Sequence, residues 1–175
     1  MMGRIRGESG SMSGVQFDEG GRYVVFGLSG RTLALPVAAV ARFLPVPALE
    51  APPALPPVVA GVFRWHGRVV PVLRLDRLLG LEECAIGLYT PLLLLERDDG
   101  PLALAVGRVH GIADAEPQEI AEDLSFEGCA LAVIRHGTGT ATVLDPSRLL
   151  TLAEERRLED FRTQATERLA QWQTP

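Results

Sequence analysis

Residues 61–75 read GVFRWHGRVVPVLRL, and this stretch predicts a β-hairpin at the centre of the fold. Apolar residues lead into and out of the dipeptide His66-Gly67, which suits a two-residue turn because glycine adopts positive φ freely. The stretch contains no nucleophile, metal-ligand cluster or phosphate-binding loop. We therefore expect it to belong to a scaffold that binds rather than to a catalyst.

The chain repeats this pattern after about 70 residues. Gly30 and Gly67 are 37 positions apart, and the same interval separates Gly100 and Gly137. The histidine-glycine turn recurs in the second half as well, as does the leucine-aspartate pair that follows each hairpin. One supersecondary unit used twice explains these matches, so we expect two similar β units packed side by side with a groove between them.

The pattern divides the chain into four segments. Residues 1–21 are rich in Gly and Ser and predict a flexible leader. The first β unit is expected mainly at residues 22–80 and the second mainly at 90–145. From residue 146 the apolar period becomes helical, which predicts a C-terminal α-helix over residues 146–175 that begins directly after Asp145.

Three connections are less regular. Residues 47–57, PALEAPPALPP, predict an extended connection, with a polyproline ligand as the alternative. Residues 102–112 predict one strand with bends at Gly107 and Gly111, and residues 117–121 predict a helical turn.

Composition excludes several classes of function. All 17 basic residues are Arg, and the absence of Lys rules out a phosphate-loop lysine, a Schiff base and a pyridoxal-phosphate anchor. The formal net charge of -5 argues against a nucleic-acid-binding surface. No apolar run is long enough for a signal peptide or a membrane span, so we expect a cytoplasmic protein without direct membrane insertion.

Cysteine and histidine are too sparse to indicate a catalytic or metal site. Cys84 and Cys129 form no CxxC motif, and His66, His110 and His136 have no metal-ligand spacing. We expect no metal and no cofactor. The alternative is an enzyme on a β scaffold that uses His66, or the Cys129 thiol with His136 as its base, and it requires the fold to bring those last two together.

The C-terminal segment carries an apolar stripe at helical spacing. Such a stripe docks on the core of its own chain or contacts a partner. If the helix makes contacts outside the chain, the residues expected to do so are Leu158, Phe161, Leu169 and Trp172.

The stretch 61–75 resembles the signature GVxNLRGxxVPVxDL of CheW-like domains, the coupling proteins of bacterial chemotaxis arrays. The matching positions are Gly61, Val62, Gly67, Val70, Pro71, Val72 and Leu75. The resemblance extends over residues 22–152, in which residues 105–112 are similar to the family's VVDxVxDV segment. It implies an all-β fold of two SH3-like five-stranded β-barrels side by side, here followed by a C-terminal helix.

The resemblance also implies a non-catalytic adaptor in signal transduction. CheW-like proteins link the cytoplasmic tip of chemoreceptors to the regulatory domain of the histidine kinase CheA. The receptor tip lies in the groove between the barrels, so the resemblance implies recruitment to membrane receptor arrays. Carried over residue by residue, the partner-binding groove consists of Val40, Arg42, Arg64, His66, Val106 and Val109.

The chain departs from the family pattern at several polar positions. Arg42, Arg64, His66 and Arg74 stand where the family has Glu, Asn, Arg and Asp, and Gly107 and Gly111 replace two acids. Changes of charge on a recognition surface select against the usual partner, so we expect a dedicated set of partners. The alternative is a divergent relative that self-associates, or binds another partner, through its C-terminal helix outside the kinase array.

Overall fold

The computed structural model of the chain describes residues 21–120, 126, 128–149 and 152–172, without the side chains of residues 152–157 and 159. Residues 1–20 of the predicted leader lie outside the described residues. Within the described residues the chain is mainly β, with two five-stranded sheets and one long C-terminal helix, as the sequence predicts.

Strands alternate with short turns along most of the chain. In chain order, β1 to β10 are Arg22–Leu28, Arg31–Pro36, Val40–Pro45, Val59–Trp65, Arg68–Arg74, Pro91–Leu95, Leu102–Ala105, Val109–Asp114, Ala130–His136 and Gly139–Leu144. The helices are α1, Leu75–Leu78, and α2, Leu152–Gln171, and a 3-10 turn spans Val37–Ala39.

The two sheets exchange strands between the halves of the chain. The first sheet has the order β8-β1-β2-β10-β9, and the second has the order β3-β6-β7-β5-β4. The units were predicted mainly at residues 22–80 and 90–145. The second sheet takes three strands from the first of these ranges and the first sheet takes three from the second, and each sheet adds a hairpin from the other half. The chain passes from one sheet to the other after β2 and again after β7, so the predicted single strand over residues 102–112 is two strands.

The strand pairing confirms the repeat itself. In the second sheet, β5 lies parallel to β7 with Val72 opposite Ala103. In the first sheet, β10 lies parallel to β2 with Thr142 opposite Leu33. Val72 and Thr142 are 70 residues apart, and so are Leu33 and Ala103. The two parallel pairs are therefore equivalent positions of the repeat, one in each sheet.

Each sheet curls until a single bridge joins its two edges. Glu50, beyond the edge strand β3, pairs with Val62 on the opposite edge strand β4. Gln118, beyond β8, pairs in the same way with Val133 on β9, so residues 117–121 do not form the predicted helical turn where they are described. The sheets resemble SH3-like barrels that are not fully closed.

Turn geometry fixes the hairpins, with one correction. Ser29-Gly30 and His66-Gly67 both have positive φ at the two central positions, as a type I′ turn requires. The hairpin of β9 and β10 instead turns at Gly137-Thr138, because His136 pairs with Gly139 as the last residue of β9. The predicted His136-Gly137 turn is thus displaced by one residue.

Three apolar layers hold the molecule together. One layer fills the first sheet around Val25 and Ile134, and another fills the second sheet around Val72 and Leu94. The largest lies between the sheets and includes Phe26. Strands such as β1 and β6 are buried on both faces because alternate side chains enter different layers, which explains their uninterrupted apolar sequences.

Helix α2 packs on the central layer, and β5 is the strand that it contacts most. It begins at Leu152 rather than at residue 146 as predicted. Asp145 instead accepts the Ser147 amide at 2.8 Å and caps a separate turn. No helix of the described residues is long and apolar enough to cross a membrane.

The crossing after β7 requires a glycine. A Cβ atom on Gly107 would lie 2.2 Å from the carbonyl oxygen of Gly27, a backbone atom of β1 that cannot move aside alone. The Gly27 amide also donates to the carbonyl oxygen of Arg108 at 2.7 Å. The crossing therefore lies directly against β1, and no larger residue fits there.

We expect Gly107→Ala to lower the free energy of unfolding by about 1–3 kcal/mol, because the methyl group forces apart two backbone segments. Urea denaturation measures this change. Gly87→Ala is the matched control, since a Cβ there meets nothing within 4 Å. Equal stability of the two variants would contradict the close approach.

Candidate functional site

Two buried aspartates mark equivalent positions in the two halves. Asp76 is 4% exposed and Asp145 is 3% exposed, and each follows the last strand of its half. Asp76 accepts the Arg77 amide at 2.8 Å, as Asp145 accepts that of Ser147. Both carboxylates therefore start a turn, but only Asp76 lies beside a large cavity.

A cavity of about 630 Å³ opens where the two sheets meet. One wall is the loop of residues 84–90, and the other is the crossing segment at residues 105–109. Val106 and Val109 contribute apolar surface from the crossing. At the rim, Leu88 and Tyr89 are 81% and 96% exposed. A mostly apolar concavity with projecting apolar side chains suits a protein partner better than a polar small molecule.

A clamp holds the loop wall in place. Arg74 donates from Nη2 to Oδ2 of Asp76 at 3.0 Å and to the carbonyl oxygen of Cys84 at 2.7 Å. The Cys84 amide donates to Asp76 Oδ2 at 2.7 Å. The Ser29 hydroxyl donates to the Glu82 carbonyl oxygen. One carboxylate thus joins β5, α1 and the loop, so we expect this wall to keep its shape without a ligand.

The clamp shifts the acidity of its members. Burial raises the pKa of Asp76, but hydrogen bonds from Arg74 and from the Cys84 and Arg77 amides outweigh it and hold the pKa below its ordinary value. The hydrogen bond to Asp76 raises the pKa of Arg74. Both groups are therefore charged at neutral pH, and the pair persists.

The six residues of the predicted groove do not all line this cavity. Val106 and Val109 do. Val40 is half-buried against the central layer, at the start of β3 as Val109 is at the start of β8. The remaining three are exposed on the second sheet: Arg42 on β3, Arg64 on β4 and His66 in the following turn.

The structure separates the departures from the family pattern into two groups. Arg74 is only 18% exposed in its side chain and belongs to the clamp, and Gly107 is required by the crossing. These two changes act inside the molecule. Arg42, Arg64 and His66 are exposed and are available to a partner.

The predicted helix contacts also differ from one another. Leu158 and Phe161 are buried in the central layer, so they contact their own chain. Leu169 is partly buried against the same layer. Trp172, which continues the stripe, is 88% exposed.

The histidines and cysteines do not assemble as a catalytic pair. His136 contacts His110, with ring centroids 6.0 Å apart, whereas His66 packs edge-on against Trp65. The Cys129 thiol donates to the Arg148 carbonyl oxygen at 2.9 Å, at the end of β9 opposite to His136. Among the described residues, no group of three or more His, Cys, Asp or Glu side chains is placed to hold a metal ion.

Sequence reasoning missed two parts of the site. It did not include Leu88 and Tyr89 in the groove, although an adjacent apolar pair between the two expected β units was a signal of a contact surface. It also missed the contact of Arg74 with Cys84, for which there was no signal, because the loop between them decides where the chain returns.

Comparisons with known proteins agree with this architecture. The family model of the CheW-like domain matches residues 22–154. Among solved structures, the chain is similar to the scaffolding protein TtCheW from Thermoanaerobacter tengcongensis, with a TM-score of 0.68 and 14% sequence identity. That match covers 81% of this chain and 95% of the other. No curated protein matches the chain.

We expect Asp76→Asn to lower the free energy of unfolding by about 1–3 kcal/mol at neutral pH, because buried donors lose a charged acceptor. The folded-state pKa of Asp76 is lowered, so its contribution is complete above the ordinary value of 3.8 and disappears as the pH falls through the folded-state pKa. Urea denaturation of both proteins at several pH values measures the difference between their free energies of unfolding.

The difference in free energy of unfolding between wild type and Asp76→Asn should therefore decrease below about pH 4. A difference at about pH 2 as large as at neutral pH would contradict the role of the ionised Asp76 carboxylate. Asp98→Asn, at an exposed turn, is the control and should change stability by less than about 0.5 kcal/mol.

Proposed function

The chain belongs to the CheW-like domain family, and from that premise we propose that it is a non-catalytic adaptor coupling chemoreceptors to a CheA-type histidine kinase. Its partners would be the kinase regulatory domain and the cytoplasmic tip of a receptor. We place the protein in the cytoplasm, where it would be recruited to membrane receptor arrays.

The observation that carries the proposal is the apolar cavity where the sheets meet. Its lining comes from both sheets, so a bound segment would contact the crossing at Val106 and Val109 together with the rim at Leu88 and Tyr89. Burial of such surface against a partner is favourable by about 25 cal/mol for each Å² removed from water. An adaptor needs this kind of surface and needs no reactive group beside it.

We propose that the receptor tip binds along the groove predicted from the family, with the cavity as its apolar centre. Val106 and Val109 belong to both. Arg42, Arg64 and His66 would then contact the tip or the kinase from exposed positions on the second sheet. The charges of Arg42 and Arg64 favour a partner surface with carboxylates, because opposite charges across an interface increase both association rate and selectivity.

The kinase proposal predicts direct binding to the regulatory domain of the CheA-type kinase from the same organism. Titration calorimetry with the purified full-length chain should give a dissociation constant in the micromolar range or tighter. Absence of binding at several hundred micromolar would contradict the coupling role.

The receptor proposal predicts a role for Tyr89. We expect Tyr89→Ala to weaken binding of a receptor-tip fragment by about 10- to 100-fold, which is the range for an aromatic anchor at an interface. Fluorescence anisotropy of the labelled fragment measures the affinity. The substitution should leave stability unchanged, because the side chain is 96% exposed.

Trp172→Ala is the matched control for the receptor experiment, since it removes an aromatic side chain of similar exposure from α2. It should leave the affinity for the receptor tip within about twofold of wild type. Equal effects of the two substitutions would show that the cavity is not the binding site.

A further inference from the structure

We propose that the C-terminal half of α2 and the segment at residues 50–52 form a surface for a second copy of this chain, which gives a two-fold symmetric dimer. The surface is separate from the cavity of the proposed receptor groove, because the two share no lining residue. We name it the α2 surface.

The apolar stripe of α2 extends past the body of the molecule. Leu158, Phe161 and Ala165 are buried against the central layer. Leu169, one turn further on, is only partly buried, and Trp172 is 88% exposed. The same helix face therefore passes from core to solvent, and its last aromatic side chain receives little cover from its own chain. Indole surface of this size is a typical interface anchor.

A groove lies beside this exposed end. It has a volume of about 390 Å³ and lies between the helix and the proline-containing segment that precedes β4. Val62 forms its apolar floor, with Pro52 on one wall and Leu169 on the other. Trp172 belongs to its lining. A projecting aromatic ring and an apolar hollow are thus found on one surface.

The groove also carries one charge of each sign. Glu50 lies on the wall formed by the extended segment, and Arg168 lies on the helix. Within the part of the chain that the structure describes, neither side chain has an ion-pair partner within 4.0 Å. Both charges remain available to a molecule that enters the groove.

These features together favour a second copy over an unrelated partner. A two-fold interface uses one patch on both subunits, so the patch must contain both members of every contact. The α2 surface meets this condition twice, with Trp172 and the apolar groove, and with Glu50 and Arg168. In the dimer, Glu50 of each copy faces Arg168 of the other, and each Trp172 enters the neighbouring groove.

Sedimentation velocity of the full chain over a range of concentrations tests the dimer. The wild type should show a concentration-dependent dimer, and Trp172→Ala should weaken it at least tenfold. Glu50→Arg and Arg168→Glu should each weaken it at least tenfold, because each variant places like charges at both contacts. The two charge reversals should leave the fold intact, since Glu50 pairs with Val62 through its backbone and Arg168 is exposed on α2.

An equimolar mixture of Glu50→Arg and Arg168→Glu is the decisive experiment. In the mixed dimer, each of the two contacts again joins one positive and one negative side chain, so association should return to within threefold of wild type. Arg135→Glu and Asp98→Arg, charge reversals at exposed positions elsewhere, should leave the dimer unchanged. A monomeric wild type at several hundred micromolar, or a mixture no stronger than either variant alone, would overturn the proposal. The receptor experiment reads Tyr89 at a cavity that shares no lining residue with the α2 surface, so the two proposals can fail separately.

Discussion

Apolar side chains of both sheets are buried against one another in a single layer between the sheets. Phe26 from the first sheet and Leu73 from the second are fully buried in this layer, and α2 adds Phe161 to it. Because strands change sheet after β2 and β7, neither sheet is complete without both halves of the chain. The interface between the sheets is therefore the core of one cooperative unit rather than a contact between independent domains.

The proposed binding surface follows from that exchange of strands. The crossing at residues 105–109 must pass close to β1, and Gly107 permits it. The crossing also leaves Val106 and Val109 along one side of the cavity. The clamp made by Arg74 and Asp76 fixes the opposite side. The same backbone path thus holds the sheets together and shapes the surface, which links the stability of the fold to the geometry of the site.

Arg74 shows that a change in charge relative to the family can serve a contact within the chain instead of a contact with a partner. In the sequence it stands out as a basic residue where related proteins have an acid, which suggests an altered recognition surface. In the structure its guanidinium group binds Asp76 and the Cys84 carbonyl oxygen, with most of the side chain buried. Arg42 and Arg64 are exposed, so they remain candidates for contact with a partner. Whether an arginine contacts its own chain or a partner depends on its burial and on the acceptors beside it, and residue type alone shows neither of these.

Most of the strands and turns, the 70-residue repeat and the apolar stripe of α2 follow from the sequence alone, because alternation, glycine turns and helical spacing are local properties. The sequence also determined the family, through the stretch at residues 61–75. The three-dimensional fold was needed to show which hairpin joins which sheet, that Cys84 returns to Asp76, and that Trp172 lies beyond the body of the molecule. These depend on contacts between residues far apart in the chain, where packing and chain path, rather than local preference, select the partner.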